Sequence, residues 1–179
     1  MITISEDIEL REILNSDTDV LLELMEEIYP AAYRHFWKDS GKFYVEKQYC
    51  KENILRELSV PNANYYFVLF KGEIIGNFRI LWDEQLGELN GKKSVKLHRI
   101  YLHTKTQGNG IGKRLLNWLE EVAIKKQYEL IWLDAMDEQP QAFEFYRKRG
   151  YQYYSHCFLD FELMYDEVRK MSQVYKILN

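Results

Sequence analysis

The period of the apolar positions changes several times along the chain, and each change predicts an element. "IELREIL" (8–14) interleaves apolar and charged side chains, the pattern of a strand. "SDTD" then offers Ser16 or Asp17 as a helix cap. Leu21, Leu24, Met25 and Ile28 follow at the spacing of one helical face. Pro30 lacks the N–H the ladder needs and is predicted to kink or end that helix. Residues 36–59 read as one or two further helices, clearest in "KENILREL", and "VPNAN" (60–64) reads as a loop.

Next, "YYFVLFKGEIIGNFRILW" sets two β-branched and aromatic runs around Lys71-Gly72-Glu73, which predicts a hairpin. "DEQLGELNGKK" (83–93) is a polar loop, and "SVKLHRIYLH" is another strand. Residues 110–126 carry a helical stripe of Ile111, Leu115, Leu119, Val122 and Ala123, with Glu120, Glu121, Lys125 and Lys126 on much of the other face. "ELIWLDAM" (129–136) predicts a strand and "QAFEFYRKR" (141–149) a short helix, with Gly150 placed to end it. "YQYYSHCFLDF" and "MSQVYKIL" read as two closing strands. The order predicts a single α/β (α+β) domain over residues 1–179, a mixed sheet covered by helices.

Composition narrows the function classes. The chain of 179 residues has a net charge of −4 and no basic block, which argues against nucleic acid as a partner. Its 14 Tyr, 9 Phe and 4 Trp predict an aromatic-rich core in preference to an aromatic-lined pocket. The longest purely apolar run, "YYFVLF", is too short to span a bilayer, and "MITISEDIELREIL" is too acidic for a signal peptide. Cys50 and Cys157 have no metal-ligand spacing, so no metal is expected, and they read as reduced thiols of a cytoplasmic protein.

The chemistry concentrates in "HRIYLHTKTQGNGIGKRLLNWLEEVA" (98–123), where Gly108, Gly110 and Gly112 fall between a strand and a helix. Glycine there is unfavourable for the helix, but it bares the N–H groups that a helix start presents to an anion. A P-loop would need Ser or Thr after Gly112-Lys113, and Arg114 stands there. A dinucleotide fingerprint needs one more residue before its last glycine. "QGNGIG" instead has the form Q/R-x-x-G-x-G/A, through Gln107, Gly110 and Gly112, and resembles the pyrophosphate signature of the GNAT acetyltransferases. "AMDEQPQAFEFYRKRGY" (135–151) resembles that family's second signature. Ala142, Phe145, Tyr146, Gly150 and Tyr151 match in register, and Gln139 stands where the family has Asn.

The resemblance implies a twisted, mostly antiparallel sheet whose fourth and fifth strands, here 95–103 and 129–136, splay apart to admit acetyl-CoA. It implies that the cosubstrate's pantetheine arm pairs with the strand at Ile100, Tyr101 and Leu102. The pyrophosphate would sit on Gln107, Gly108, Asn109, Gly110, Ile111, Gly112 and Lys113, and Gln139 would steady the arm. Tyr146 would be the general acid for the departing thiolate. The common strand-four Glu is replaced by His98, which titrates near neutrality and is the expected base; Asp134, Asp137 and solvent are alternatives. That replacement also keeps open a CoA-binding module without catalysis. The expected partner is a small primary amine, with polyamines ahead of protein N-termini or lysines. Carboxylates at Glu26, Glu27, Glu46, Glu52, Asp83, Glu84 and Glu88 would hold the distal ammonium groups. Edge strands in this fold are expected to offer homodimer contacts.

Overall fold

A computed structural model describes residues 1–89 and 91–178. Its eight strands form a single sheet. The chain opens with a hairpin of β1 (Ile2–Ser5) and β2 (Ile8–Glu12). Strand β1 is too short to show a period, and the expected first strand covers only β2. Three helices follow, α1 (Thr18–Tyr33), α2 (Lys42–Gln48) and α3 (Lys51–Leu58). Then come β3 (Ala63–Phe70), β4 (Glu73–Trp82) and β5 (Ser94–Leu102). Helix α4 (Ile111–Lys125), strand β6 (Leu130–Met136), helix α5 (Pro140–Lys148), and strands β7 (Gln152–Phe158) and β8 (Lys170–Ile177) complete the order. In space the strands run β1-β2-β3-β4-β5-β6-β8-β7. All neighbours are antiparallel except β5 and β6.

Local chemistry explains the turns. Lys71 and Gly72 both have positive φ, the two-residue turn that matches the twist of a hairpin. Asp17 stands at the start of α1, but its carboxylate faces backward, accepting from Leu14 N at 2.9 Å and pairing with Arg11 at 3.1 Å. Pro30 does not end α1. It falls in the last turns, where only its own N–H is lost, and Arg34 N still donates to the Pro30 carbonyl. The extra turn brings Tyr33 onto the face of Tyr29, with ring centroids 4.9 Å apart. The 83–93 loop is less polar than its composition suggests: Leu86 is buried against Leu130 and Trp132. Asn90 in that loop lies outside the described residues.

The sheet has a core on each face. Leu115, Leu119 and Ala123 of α4 pack with Val68, Phe78, Ile80, Val95 and Ile131 on one side. Met25, Ile28, Val45 and Ile54 of α1–α3 pack with Tyr65, Phe67 and Leu69 on the other. Both cores meet at the β5–β6 seam, where the sheet opens.

Candidate active site

Strands β5 and β6 pair in parallel only from Ser94–Leu97 to Leu130–Leu133. Both continue, β5 to Leu102 and β6 to Met136, without pairing further. The register of β5 on β4 jumps at this point: Ile80 pairs with Leu97, but Arg79 pairs with Arg99, leaving His98 as the extra residue of a β-bulge. A bulge bends its strand, which accounts for the divergence from β6. Beyond the bulge, His103 N donates to Ile75 O at 2.7 Å, toward β4. The Tyr101 carbonyl also faces β4, so closely that a Cβ on Gly76 would fall 2.1 Å from it; only glycine fits there. Strand alternation therefore turns the backbone groups of Ile100 and Leu102 toward the gap.

Below the gap, "QGNGIG" forms a tight turn into α4. Gly108 has φ of 84° and Gly110 has φ of 68°, both in the left-handed region. A Cβ on either would meet nothing within 4 Å, so the turn is open above both. The first helical bond runs from Arg114 N to Gly110 O, and the N–H groups before it have no earlier turn to donate to. Arg114 braces the turn. It donates to the Asn109 carbonyl at 2.9 Å, to Asp7 in the β1–β2 turn at 2.6 Å and to Ser5 at the end of β1 at 3.0 Å. Gln107 and Lys113 are exposed beside the turn, and the Asn109 amide donates to Thr106 O.

The opened parallel seam is the strand splay that the two signatures imply. Residues 22–151 match the acetyltransferase (GNAT) family. The chain belongs to that family. It is 26% identical over 144 residues to the aminoalkylphosphonate N-acetyltransferase of Salmonella typhimurium, covering 80% of this chain and 84% of that one. The fold is that of the PaiA N-acetyltransferase of Thermoplasma acidophilum, solved with coenzyme A (TM-score 0.68, 20% identity, 93% of this chain and 97% of that one). It is also that of the Vibrio cholerae spermidine N-acetyltransferase SpeG, in a mutant form (TM-score 0.66, 14% identity, 97% of this chain and 95% of that one).

The cleft at the seam has a volume of about 300 Å³ and is lined from β5, β6, α1, α2 and α5. Tyr146 of α5 reaches it, buried, with Phe145 and Tyr151 rings at 5.2 and 5.6 Å. Burial pushes the phenol pKa well above its ordinary value, with Tyr33 adding to the shift, so the hydroxyl holds its proton. Gln139 is at the start of α5, and its amide donates across the cleft to Ala32 O at 3.4 Å. Asp134 lines the cleft but is paired with Lys96 at 2.7 Å. Asp137 lies on the other side of α5, held by Ser172 at 2.6 Å and Lys170 at 2.8 Å.

His98 faces a cationic environment. Its Nδ1 is 2.9 Å from Arg79 Nη1. Arginine can only donate, so Nδ1 is the acceptor and the proton of the neutral ring is on Nε2. Burial, Arg99 and Arg79 together push the His98 pKa down to about 2. Beneath it, Glu57 of α3 ion-pairs with Arg99 and lies 3.8 Å from Arg79, whose Nη2 also donates to the Glu57 carbonyl at 3.1 Å. Burial lowers the Arg79 pKa, and Glu57 opposes that fall.

Two features were not legible in the pattern. The aromatic residues do more than fill a core: Tyr29, Tyr33, Trp37, Tyr44, Tyr101 and Phe161 wall the cleft, and Tyr44 and Tyr101 hydroxyls lie 3.3 Å apart. The carboxylates expected to bind ammonium groups are elsewhere. Glu26, Glu27, Glu46, Glu52, Asp83, Glu84 and Glu88 are all exposed, and none lines the cleft. Glu27 pairs with His103 and Glu46 with Lys42. Among the described residues, no group of three or more His, Cys, Asp or Glu could hold a metal, and no helix is long and apolar enough to cross a membrane.

Proposed function

We propose that the protein transfers the acetyl group of acetyl-CoA to a small primary amine. The observation that carries this is the juxtaposition of the opened β5–β6 seam, the bare glycine turn below it and the Tyr146 phenol within it. When bound, acetyl-CoA supplies the activated thioester. Open N–H groups at residues 108–113 would hold its pyrophosphate, with the α4 macrodipole favouring the negative charge. Ile100 and Leu102 offer backbone groups to the pantetheine arm in the manner of an added strand. Tyr101 places its side chain on the acceptor face, and Gln139 can release Ala32 to steady the arm.

Proton handling follows from the pKa directions. The Tyr146 phenol stays protonated and can give its proton to the leaving thiolate. His98 stays neutral and presents Nε2–H as a donor to the negative charge that develops on the thioester oxygen. A ring with so low a pKa is a poor acceptor for an ammonium proton, so solvent takes that role. The acceptor assignment rests on the cleft, since relatives differ: one acts on aminoalkylphosphonates and a structural neighbour on spermidine. The cleft walls carry one carboxylate, Asp134, already paired, and give a polyamine no row of anions.

Two measurements test these assignments. Gly110→Glu places charge in the open space above the turn and strains a positive φ. Calorimetry should show CoA affinity falling about thirtyfold, roughly 2 kcal/mol; unchanged affinity removes the turn from the site. For His98, the folded pKa lies below the ordinary value near 6.5, so the ring is neutral throughout the working range. The pH–rate profile of His98→Gln should keep the parent's shape with a lower plateau. A limb near pH 6.5 that disappears in the variant would restore His98 as the base. The same shift predicts a stability contribution that is complete above about pH 6.5 and is lost as pH falls toward the folded pKa, because only the unfolded ring then binds a proton.

A further inference from the structure

We infer that the acceptor amine also carries an acidic group, a carboxylate or phosphonate, and that Arg99 receives it. This rests on the acetyl-transfer reading and narrows its acceptor. The charges at the cleft floor do not cancel. Arg79 and Arg99 share a single carboxylate, Glu57, while the adjacent His98 is hydrogen-bonded in its neutral form. The other charged pair in this region, Lys96 with Asp134, is self-compensated. One positive charge is left over, and it belongs to side chains that are almost wholly enclosed.

Arg99 is the member of this cluster that reaches the cleft together with His98. Its side chain is only 5% exposed. Its hydrogen bonds to Glu57 and Tyr65 both leave from Nη1, the latter at 3.2 Å. Among the described residues, Nε and Nη2 have no hydrogen-bond acceptor, and unlike Arg79 Nε neither is fully buried. Those two N–H groups form the edge of the guanidinium that binds a carboxylate or phosphonate in a two-pronged fashion. Enclosure strengthens such a contact, since little water competes for it. Arg99 directly follows the bulged His98, so an anion on it would leave the amine of a short molecule near the opened seam. The cleft volume of about 300 Å³ suits such a molecule. A polyamine would instead bring further positive charge against Arg99, a like-charge contact that selects against it.

The test compares amines of matched length by CoA thiol release: an ω-amino acid, an aminoalkylphosphonate, a neutral alkylamine, a diamine and spermidine. The acidic amines should exceed the neutral one at least tenfold in kcat/KM, with the diamine lowest. Arg99→Lys keeps the charge opposite Glu57 but loses the fork, and it should cut the acidic-to-neutral preference at least tenfold through KM. An alkylphosphonate without an amine, titrated into the protein with CoA present, should bind the parent and bind Arg99→Lys at least tenfold more weakly. If that variant fails to fold, the amine series and the titration on the parent decide. Spermidine or the diamine matching the acidic amines overturns the inference and leaves acetyl transfer standing. No release with any amine overturns acetyl transfer, and the phosphonate titration then settles the anion site alone, with absence of binding sinking it.

Discussion

Replacing Tyr146 with phenylalanine is expected to lower kcat about a hundredfold or more while leaving acetyl-CoA affinity within a fewfold of the parent. A positioned general acid contributes roughly 10²–10⁴ in rate, and the substitution removes the proton without changing the ring. Ring packing against Phe145 and Tyr151 is kept, so the fold should hold. The hydroxyl is buried at the cleft and its pKa is raised, so it is a neutral donor at any working pH. Its contribution therefore falls on the step in which the thiolate forms and little on ground-state binding. Single-turnover rates measured beside CoA calorimetry separate the two. An unchanged chemical step would return Tyr146 to a packing role.

Glu57→Ala is expected to destabilise the protein by about 3–5 kcal/mol, the range for removing one partner of a buried ion pair. The Glu57, Arg79 and Arg99 side chains are 11%, 4% and 5% exposed. Without the carboxylate, two guanidinium groups would remain enclosed with no counter-charge, and α3 would lose its ion pair to β5 while keeping the Arg79 bond to its backbone carbonyl. Glu57→Gln keeps hydrogen-bonding capacity without the charge and should cost less. Urea unfolding with an unchanged slope measures both. A loss under about 1 kcal/mol for the alanine variant would show that the cluster relaxes to water.

Most of the element order was legible in the sequence, because amphipathic periods and turn chemistry are local. The stripe of Ile111, Leu115, Leu119 and Ala123 is the buried face of α4. Lys71-Gly72 is a hairpin turn, and Gly150 takes the left-handed conformation just past α5. Two short signatures around Gly110 and Tyr146 were enough to point to the family, since a glycine turn and the helix it opens are contiguous in the chain. Pro30 does not end α1, and the β1 strand was missed, for a related reason: a proline in the last turns of a helix and a four-residue strand leave no local signal that outweighs the tertiary contacts.

What the tertiary structure alone decided is which side chains share the cleft. The bulge at His98 exists only in the register of β5 against β4, and it sets the ring where burial, Arg99 and Arg79 lower its pKa. Glu57 reaches Arg99 across 42 positions of sequence and Arg79 across 22. Tyr29, Tyr44, Tyr101 and Phe161 come from separate elements to form one wall. The exposed carboxylates of α1 and α3 looked equally eligible in sequence, yet the same docking faces them outward. Periodicity reports which face of an element is buried; it does not report which other element covers that face. Charge balance and pKa depend on that second fact, so they emerged only when the chain was folded.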